Sequence, residues 1–356
     1  MAYESILIVK LGAVGDVVHT LYAARALRES FPDARIGWVI EEKSFDIVDG
    51  NADVDELILF PRRKIAPLLK SPRTFPQGLK QLSGFARELR ARNYEVAIDF
   101  QTLFKSGWIT EKSGAKKRIG FDKWRELNKL FTNVHVDASD RKHAVEKYLK
   151  LVEAIGARPP KSRPTIEVPH EKVWKLERWL ADYGFSDDNL GILNPSATWP
   201  NKVPDLTVLA DAALRISLKA GIRWLIIWAG DAELARANIL EEKMRMKSVK
   251  IAPETDLKEL YYLLSRARIY LGTDSGPMHM AALAETPVVA IFGPSDPERV
   301  APYDVPHRIV RAEHLDCLGC WKRSCRNPRC MDELEAEPMV EAALELLSAG
   351  SDSESA

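Results

Sequence analysis

Short apolar runs alternate along this chain with stretches of helical periodicity, and that alternation constrains the fold more than any other feature. Strands are expected at residues 5–10, 35–40, 56–60, 94–100 and 117–119, and again at 191–194, 223–228, 269–271 and 288–292. Helical patterns fall near 16–30, 77–92 and 143–155, and between the strands of the second half. Such alternation implies βαβ units, parallel sheets and helices on both faces. At 356 residues the chain exceeds the size at which one core stops growing. Pro159, Pro160, Pro164 and Pro169 cluster between the halves and read as a linker. The expected organisation is therefore α/β, with two doubly wound, Rossmann-like domains at 1–165 and 166–347 and a frayed polar tail at 348–356. Ligands of such sheets sit beyond the carboxyl ends of the strands, so the cleft between the domains is the expected site.

The first strand runs into the most informative motif, Lys10-Leu11-Gly12-Ala13-Val14-Gly15-Asp16. Its glycines let the backbone approach a ligand, and the helix that follows offers unpaired N–H donors in its first turn. Asp16 at that place either caps the helix or accepts a proton from a bound hydroxyl. Three segments of the second half likewise follow strand ends. Thr273-Asp274-Ser275-Gly276-Pro277-Met278-His279 combines small and hydroxyl residues with a proline in the first turn of a helix, a pattern that can grip a diphosphate. Thr198 and Lys202 lie in the loop that opens at Asn194, where the lysine can neutralise a phosphate. Glu233 follows the turn at Gly230 and either bonds a sugar hydroxyl or favours the start of the next helix. His279 either faces this site or packs in the core.

Charge is balanced overall, with 51 Lys or Arg against 51 Asp or Glu, which gives no sign of a nucleic-acid partner. The balance fails locally. Between Arg62 and Arg92 stand nine Lys or Arg and a single acid, Glu88. Within it, Pro61-Arg62-Arg63-Lys64 follows a strand and opens a loop broken by Pro67, Pro72 and Pro76, ahead of the helical pattern at 77–92. Arginine pairs bidentately with carboxylate and phosphate, so this patch suits an anionic acceptor, and it can also hold the protein against an anionic lipid surface. Asp99, Gln101, Lys105 and Arg118 are further candidates for the same half. No apolar run approaches the ~20 residues that span a bilayer. Without a leader pattern either, the chain reads as cytoplasmic.

All four cysteines, Cys317, Cys320, Cys325 and Cys330, fall in one short window. Four thiols so close together suit a structural zinc or iron, although the spacings are looser than paired CxxC motifs.

Taken in order, Lys10-x4-Gly15-Asp16, the Lys202 loop, Gly230-x2-Glu233 and Asp274-Ser-Gly-Pro-Met-His279 resemble the bacterial heptosyltransferases of glycosyltransferase family 9. Gly37-Trp38-Val39-Ile40-Glu41-Glu42 is most similar to the heptosyltransferase I branch, whereas the cysteine cluster departs from that branch. The resemblance covers roughly residues 5–345. It implies a GT-B fold and inverting transfer without a catalytic metal or cofactor. The implied donor is ADP-heptose, held by the C-terminal domain through Thr198, Lys202, Glu233, Asp274, Ser275, Gly276, Pro277, Met278 and His279. The implied acceptor is Kdo2-lipid A, docked on the N-terminal domain near Lys10, Gly15, Arg62, Arg63, Gln101 and Arg118. In this reading Asp16 is the general base, Lys202 stabilises the leaving diphosphate, and the enzyme works peripherally on the cytoplasmic face of the inner membrane. A transferase using another nucleotide sugar or a later core acceptor, and a non-catalytic nucleotide-sugar-binding or metal-sensing module, stay open. A dehydrogenase is set aside because no G-x-G-x-x-G opens the first helix.

Overall fold

The computed structural model describes residues 3–123, 126–245 and 248–353. The chain divides into two compact units, Met1–Glu167 and Val168–Ala356. The first unit holds the parallel strands β1 (Ser5–Val9), β2 (Arg35–Ile40), β3 (Glu56–Leu59), β4 (Val96–Asp99), β5 (Lys117–Phe121) and β6 (Val134–Val136), ordered β3-β2-β1-β4-β5-β6. The second holds β7 (Leu190–Asn194), β8 (Arg223–Ile226), β9 (Val249–Ile251), β10 (Ile269–Thr273), β11 (Val288–Ile291) and β12 (His307–Val310), ordered β12-β11-β10-β7-β8-β9. Both are the doubly wound order of a Rossmann domain, so the expected α/β class is correct.

Central strands read as continuous apolar runs because helices cover both of their faces. Ile6, Leu7, Ile8 and Val9 of β1 are fully buried, with Ile8 in register with Trp38 on one side and Ile98 on the other. Three strands escape the sequence reading, namely β6, β9 and β12. All three are edge strands, short and bearing His135, Lys250 or Arg308, and a half-solvated edge needs no apolar run.

Helix boundaries differ from expectation in three informative places. The first helix spans Val14–Ser30 with Ala13 as its N-cap, so Asp16 lies inside the first turn and does not cap it. The expected proline-broken loop instead holds the helix Arg62–Leu68, with Pro67 in its last turn, whereas the helix expected at 77–92 is found as Phe75–Arg90, with Pro76 in its first turn. A proline in the first turn loses no hydrogen bond, which is why Pro76 starts a helix rather than stopping one. The polar tail expected from Ser348 also differs, since the helix Ala336–Ser353 runs on through it; residues 354–356 lie outside the described residues.

In each parallel sheet the order in which strands are laid down reverses at the two central strands, β1/β4 in the first and β7/β10 in the second. Loops leaving the carboxyl ends there diverge and open a crevice.

Candidate functional site

The β1/β4 crevice holds Lys10 and Asp16. Lys10 follows β1 directly and is buried, with only 2% of its side chain exposed, while Asp16 keeps 43% exposure one helical turn along. The Lys10 ammonium lies 3.4 Å from the Asp16 carboxylate and donates to the Tyr148 hydroxyl at 2.8 Å and the Phe100 carbonyl at 3.2 Å. Burial pushes the Lys10 pKa down, but Asp16 and Tyr148 outweigh it, so the group stays cationic. The Tyr148 hydroxyl is pushed up to about 12, by burial first and by the Asp16 charge second. A hidden cation thus fixes a carboxylate that faces outward. Tyr148 was not singled out by the sequence; a buried aromatic on a helical stripe looks like ordinary core. Tyr148→Phe removes one hydrogen bond to a buried charge and is expected to cost about 2 kcal/mol of stability in urea unfolding. Unchanged stability would show that the ammonium does not need this hydroxyl.

Gln101 braces the same loop, its side-chain oxygen accepting the Leu11 and Gly12 N–H groups at 3.1 and 3.4 Å. Gln101 is itself positioned by Asp99, which accepts the Gln101 and Thr102 N–H groups at 2.8 and 3.2 Å, the Ser106 hydroxyl at 3.0 Å and the Asn128 amide. Burial pushes the Asp99 carboxyl up to about 6 against those hydrogen bonds. A carboxyl whose folded pKa lies above the usual ~3.9 contributes stability that is full at lower pH and lost as pH rises through the folded value. The stability of the natural chain relative to Asp99→Asn is therefore expected to fall by about 3 kcal/mol between about pH 4 and pH 7. A flat difference in urea titrations across that window would contradict it.

The candidate acceptor residues divide. Arg62 and Arg63 are exposed and pair with Glu41 at 3.2 Å and Glu42 at 3.0 Å, and Lys105 also pairs with Glu41. Arg118 instead spends its guanidinium on the Ala115 and Phe131 carbonyls, both at 2.9 Å. Gly15 is buried in the first helical turn beside Asp16.

In the second unit, β7 and β10 pair so closely that a Cβ on Gly272 would meet the Asn194 carbonyl at 2.6 Å. Asn194 ends β7 and donates to the Ser275 hydroxyl at 2.9 Å and the Tyr270 hydroxyl at 2.8 Å. Thr273 donates to the Ser196 carbonyl at 2.6 Å. These bonds place Asp274 at the mouth, buried, where it accepts from Lys202 and from the Ser295 hydroxyl, with His279 Nε2 at 3.8 Å. Lys202 ends the short turn Pro200–Lys202 and also stands 4.6 Å from the Trp199 ring centroid. Lys202, Asp274 and His279, which the sequence singles out, thus lie together, and Asn194 and Ser295 emerge only from the structure.

Other candidates have narrower roles. Met278 is fully buried, and its N–H donates to the Ser275 carbonyl at 3.1 Å. Pro277 has no N–H, so the start of the Gly276–Leu283 helix presents the Ser275 and Gly276 amides. Thr198 is exposed in the loop. Glu233 reaches back within the first turn of its helix to accept the Ala229 N–H at 3.0 Å, and burial raises its pKa. Gly230 makes that turn possible with a φ of 74°.

The cysteine cluster needs correction. Cys317, Cys320 and Cys325 are exposed, whereas Cys330 is buried in the core of the second unit. Among the described residues no group of three or more His, Cys, Asp or Glu is gathered to hold a metal, so the expected zinc or iron finds no support. The segment has another role. Its Trp321 meets Trp199 edge-on at 6.3 Å, and Asn201 donates to the Lys322 carbonyl at 2.7 Å. It buttresses the loop that carries Lys202.

Residues 83–331 match the sequence profile of glycosyltransferase family 9 (heptosyltransferase). The chain belongs to that family. It is a glycosyltransferase of the GT-B class. It is 24% identical over 359 residues to the lipopolysaccharide core heptosyltransferase OpsX of Haemophilus influenzae, covering 95% of this chain and 96% of that one. It is 26% identical over 325 residues to lipopolysaccharide heptosyltransferase 1 of Escherichia coli K12, covering 88% and 95%. The solved E. coli heptosyltransferase WaaC with ADP superposes with a TM-score of 0.74 at 23% identity, over 96% of this chain and 99% of that one. Asp16, Lys10, Arg62 and Arg63 lie N-terminal to the matched profile, so their roles rest on the geometry.

Proposed function

We propose that this chain transfers L-glycero-D-manno-heptose from ADP-heptose to the Kdo region of the lipopolysaccharide inner core, with inversion and without a metal. The observation that carries the reading is the outward-facing Asp16 carboxylate fixed by the buried Lys10 ammonium in the β1/β4 crevice. Asp16 takes the proton of an acceptor hydroxyl. The freed oxygen pair attacks the anomeric carbon, and the carbon–oxygen bond to the diphosphate breaks with its electron pair on ADP. A single displacement of this kind inverts the anomeric centre. Lys202 and the Ser275 and Gly276 amides meet the charge that grows on the leaving diphosphate, where preorganised donors are worth several kcal/mol of barrier. Lys202 then exchanges its Asp274 partner for the phosphate. The donor belongs to the second unit, with Glu233 and His279 beside it; the acceptor belongs to the first, with Arg62 and Arg63 on its anionic groups.

The solved complex of a relative with ADP supports the donor class. Kdo2-lipid A incubated with ADP-heptose, EDTA and the purified chain is expected to gain one heptose, read by mass spectrometry. A folded protein that binds ADP-heptose yet leaves Kdo2-lipid A untouched would overturn the acceptor assignment, and product on an already heptosylated core would place the enzyme at a later step.

A further inference from the structure

Asp274 follows the middle one of three neighbouring strands, and its partners come from the segments on either side. Lys202 belongs to the segment after β7 and Ser295 to the segment after β11, and both bond its carboxylate. One short stretch of the cysteine-bearing segment ties these two flanking loops together. On the β11 side, the Gly319 N–H donates to the Gly293 carbonyl at 3.0 Å. The Trp321 N–H donates to the carbonyl of Pro294, the residue before Ser295, at 2.7 Å. On the β7 side, the Lys322 carbonyl accepts the Asn201 amide, and the Trp321 ring meets Trp199 edge-on. The Arg299 guanidinium stands 4.6 Å from the Trp321 ring centroid. Trp321 holds a φ of 57°, a left-handed backbone that a bulky side chain keeps only where its surroundings dictate it. Trp199 in turn offers its ring to the Lys202 ammonium. An aromatic face attracts a cation without neutralising it. The ammonium therefore keeps a fixed seat, and its charge, when it leaves Asp274 for a phosphate.

We propose that Trp321 is a positioning residue for the nucleotide diphosphate: by fixing Trp199 it fixes the Lys202 ammonium against the phosphate that leaves the sugar. This role rests on the proposed function in one respect only, the meeting of Lys202 with that phosphate. Trp321 touches neither donor nor acceptor, so its effect passes wholly through Lys202. The cysteine-bearing segment thereby takes a part in donor binding that uses its indole and not its thiols.

The test is calorimetric titration of the purified full chain with ADP and with AMP, which lacks the phosphate that leaves the sugar. Trp321→Ala is expected to weaken ADP binding about tenfold and AMP binding less than about twofold. Trp321→Leu keeps apolar bulk without a ring and should behave alike. Trp321→Phe keeps a ring edge and should recover most of the affinity. Lys202→Met should show the same loss for ADP alone, and adding Trp321→Ala to it should weaken ADP no further. Unchanged AMP binding shows in each variant that the nucleotide site is folded. Loss of ADP and AMP alike would mean that Trp321 only supports the fold of its unit, and would overturn the proposal. Normal ADP binding by Trp321→Ala and Trp321→Leu, or a further loss on the Lys202→Met background, would overturn it while leaving Lys202 in its role. Lys202→Met binding ADP as the natural chain does would remove Lys202 from the diphosphate. A natural chain that binds no ADP would remove the donor class. Either result takes the proposal with it.

Discussion

Asp16→Asn is expected to bind ADP-heptose as tightly as the natural chain and to transfer it about 10²–10⁴ times more slowly. The substitution keeps the size and planarity of the side chain and removes its ability to take a proton. It also deprives Lys10 of its carboxylate partner, but Asp16 is nearly half exposed, so water screens the pair and the stability cost should be about 1 kcal/mol. The two effects separate in practice. Calorimetric binding of ADP-heptose and a melting curve should be near normal while single-turnover transfer collapses. Retained transfer would remove Asp16 from the chemistry, and lost donor binding would make it a structural residue of the loop.

On the proposed function, Lys202→Met should reduce turnover by about 10²–10³-fold, because it withdraws the cation proposed to meet the leaving diphosphate. It differs from the first prediction in being costly to the fold. Asp274 is 4% exposed, and its ammonium partner is 12% exposed. Removing one member of a buried pair leaves an uncompensated charge and costs about 3–5 kcal/mol. The double variant Lys202→Met/Asp274→Asn removes both charges and should regain most of that stability without regaining turnover. A cycle in which stability and turnover recover together would mean that Lys202 only holds Asp274 in place.

How far the sequence alone could reach depends on where information is local. Central strands such as Ile6–Val9 are apolar on both faces, and nothing but a covered parallel sheet accommodates them, so the α/β class was legible. The candidates Asp16, Lys202 and Asp274 stand in the segments that follow β1, β7 and β10, so the sequence could place them at the carboxyl ends of strands. Tyr148 was not, because it reaches Lys10 from 138 residues away. Asn194 and Ser295 likewise act on Ser275 and Asp274 across the sheet. The cysteines misled for a related reason. Proximity in sequence suggested a metal, but Cys330 turns into the core while its three companions stay outside. Pro67 misled by composition, because it stands in the last turn of a helix only seven residues long that ends directly after it.

Both sheets have the same strand order, so the backbone presents the same crevice twice. In each, the candidate site residues gather at the last strand positions and in the loops beyond them, as Asn194 and Thr273 end β7 and β10 while Lys202 and Asp274 follow. The loops of a unit can therefore change while the strand order of its sheet is kept. Evolvability of this modular kind fits relatives that share about a quarter of their residues with this chain and yet superpose over nearly its whole length.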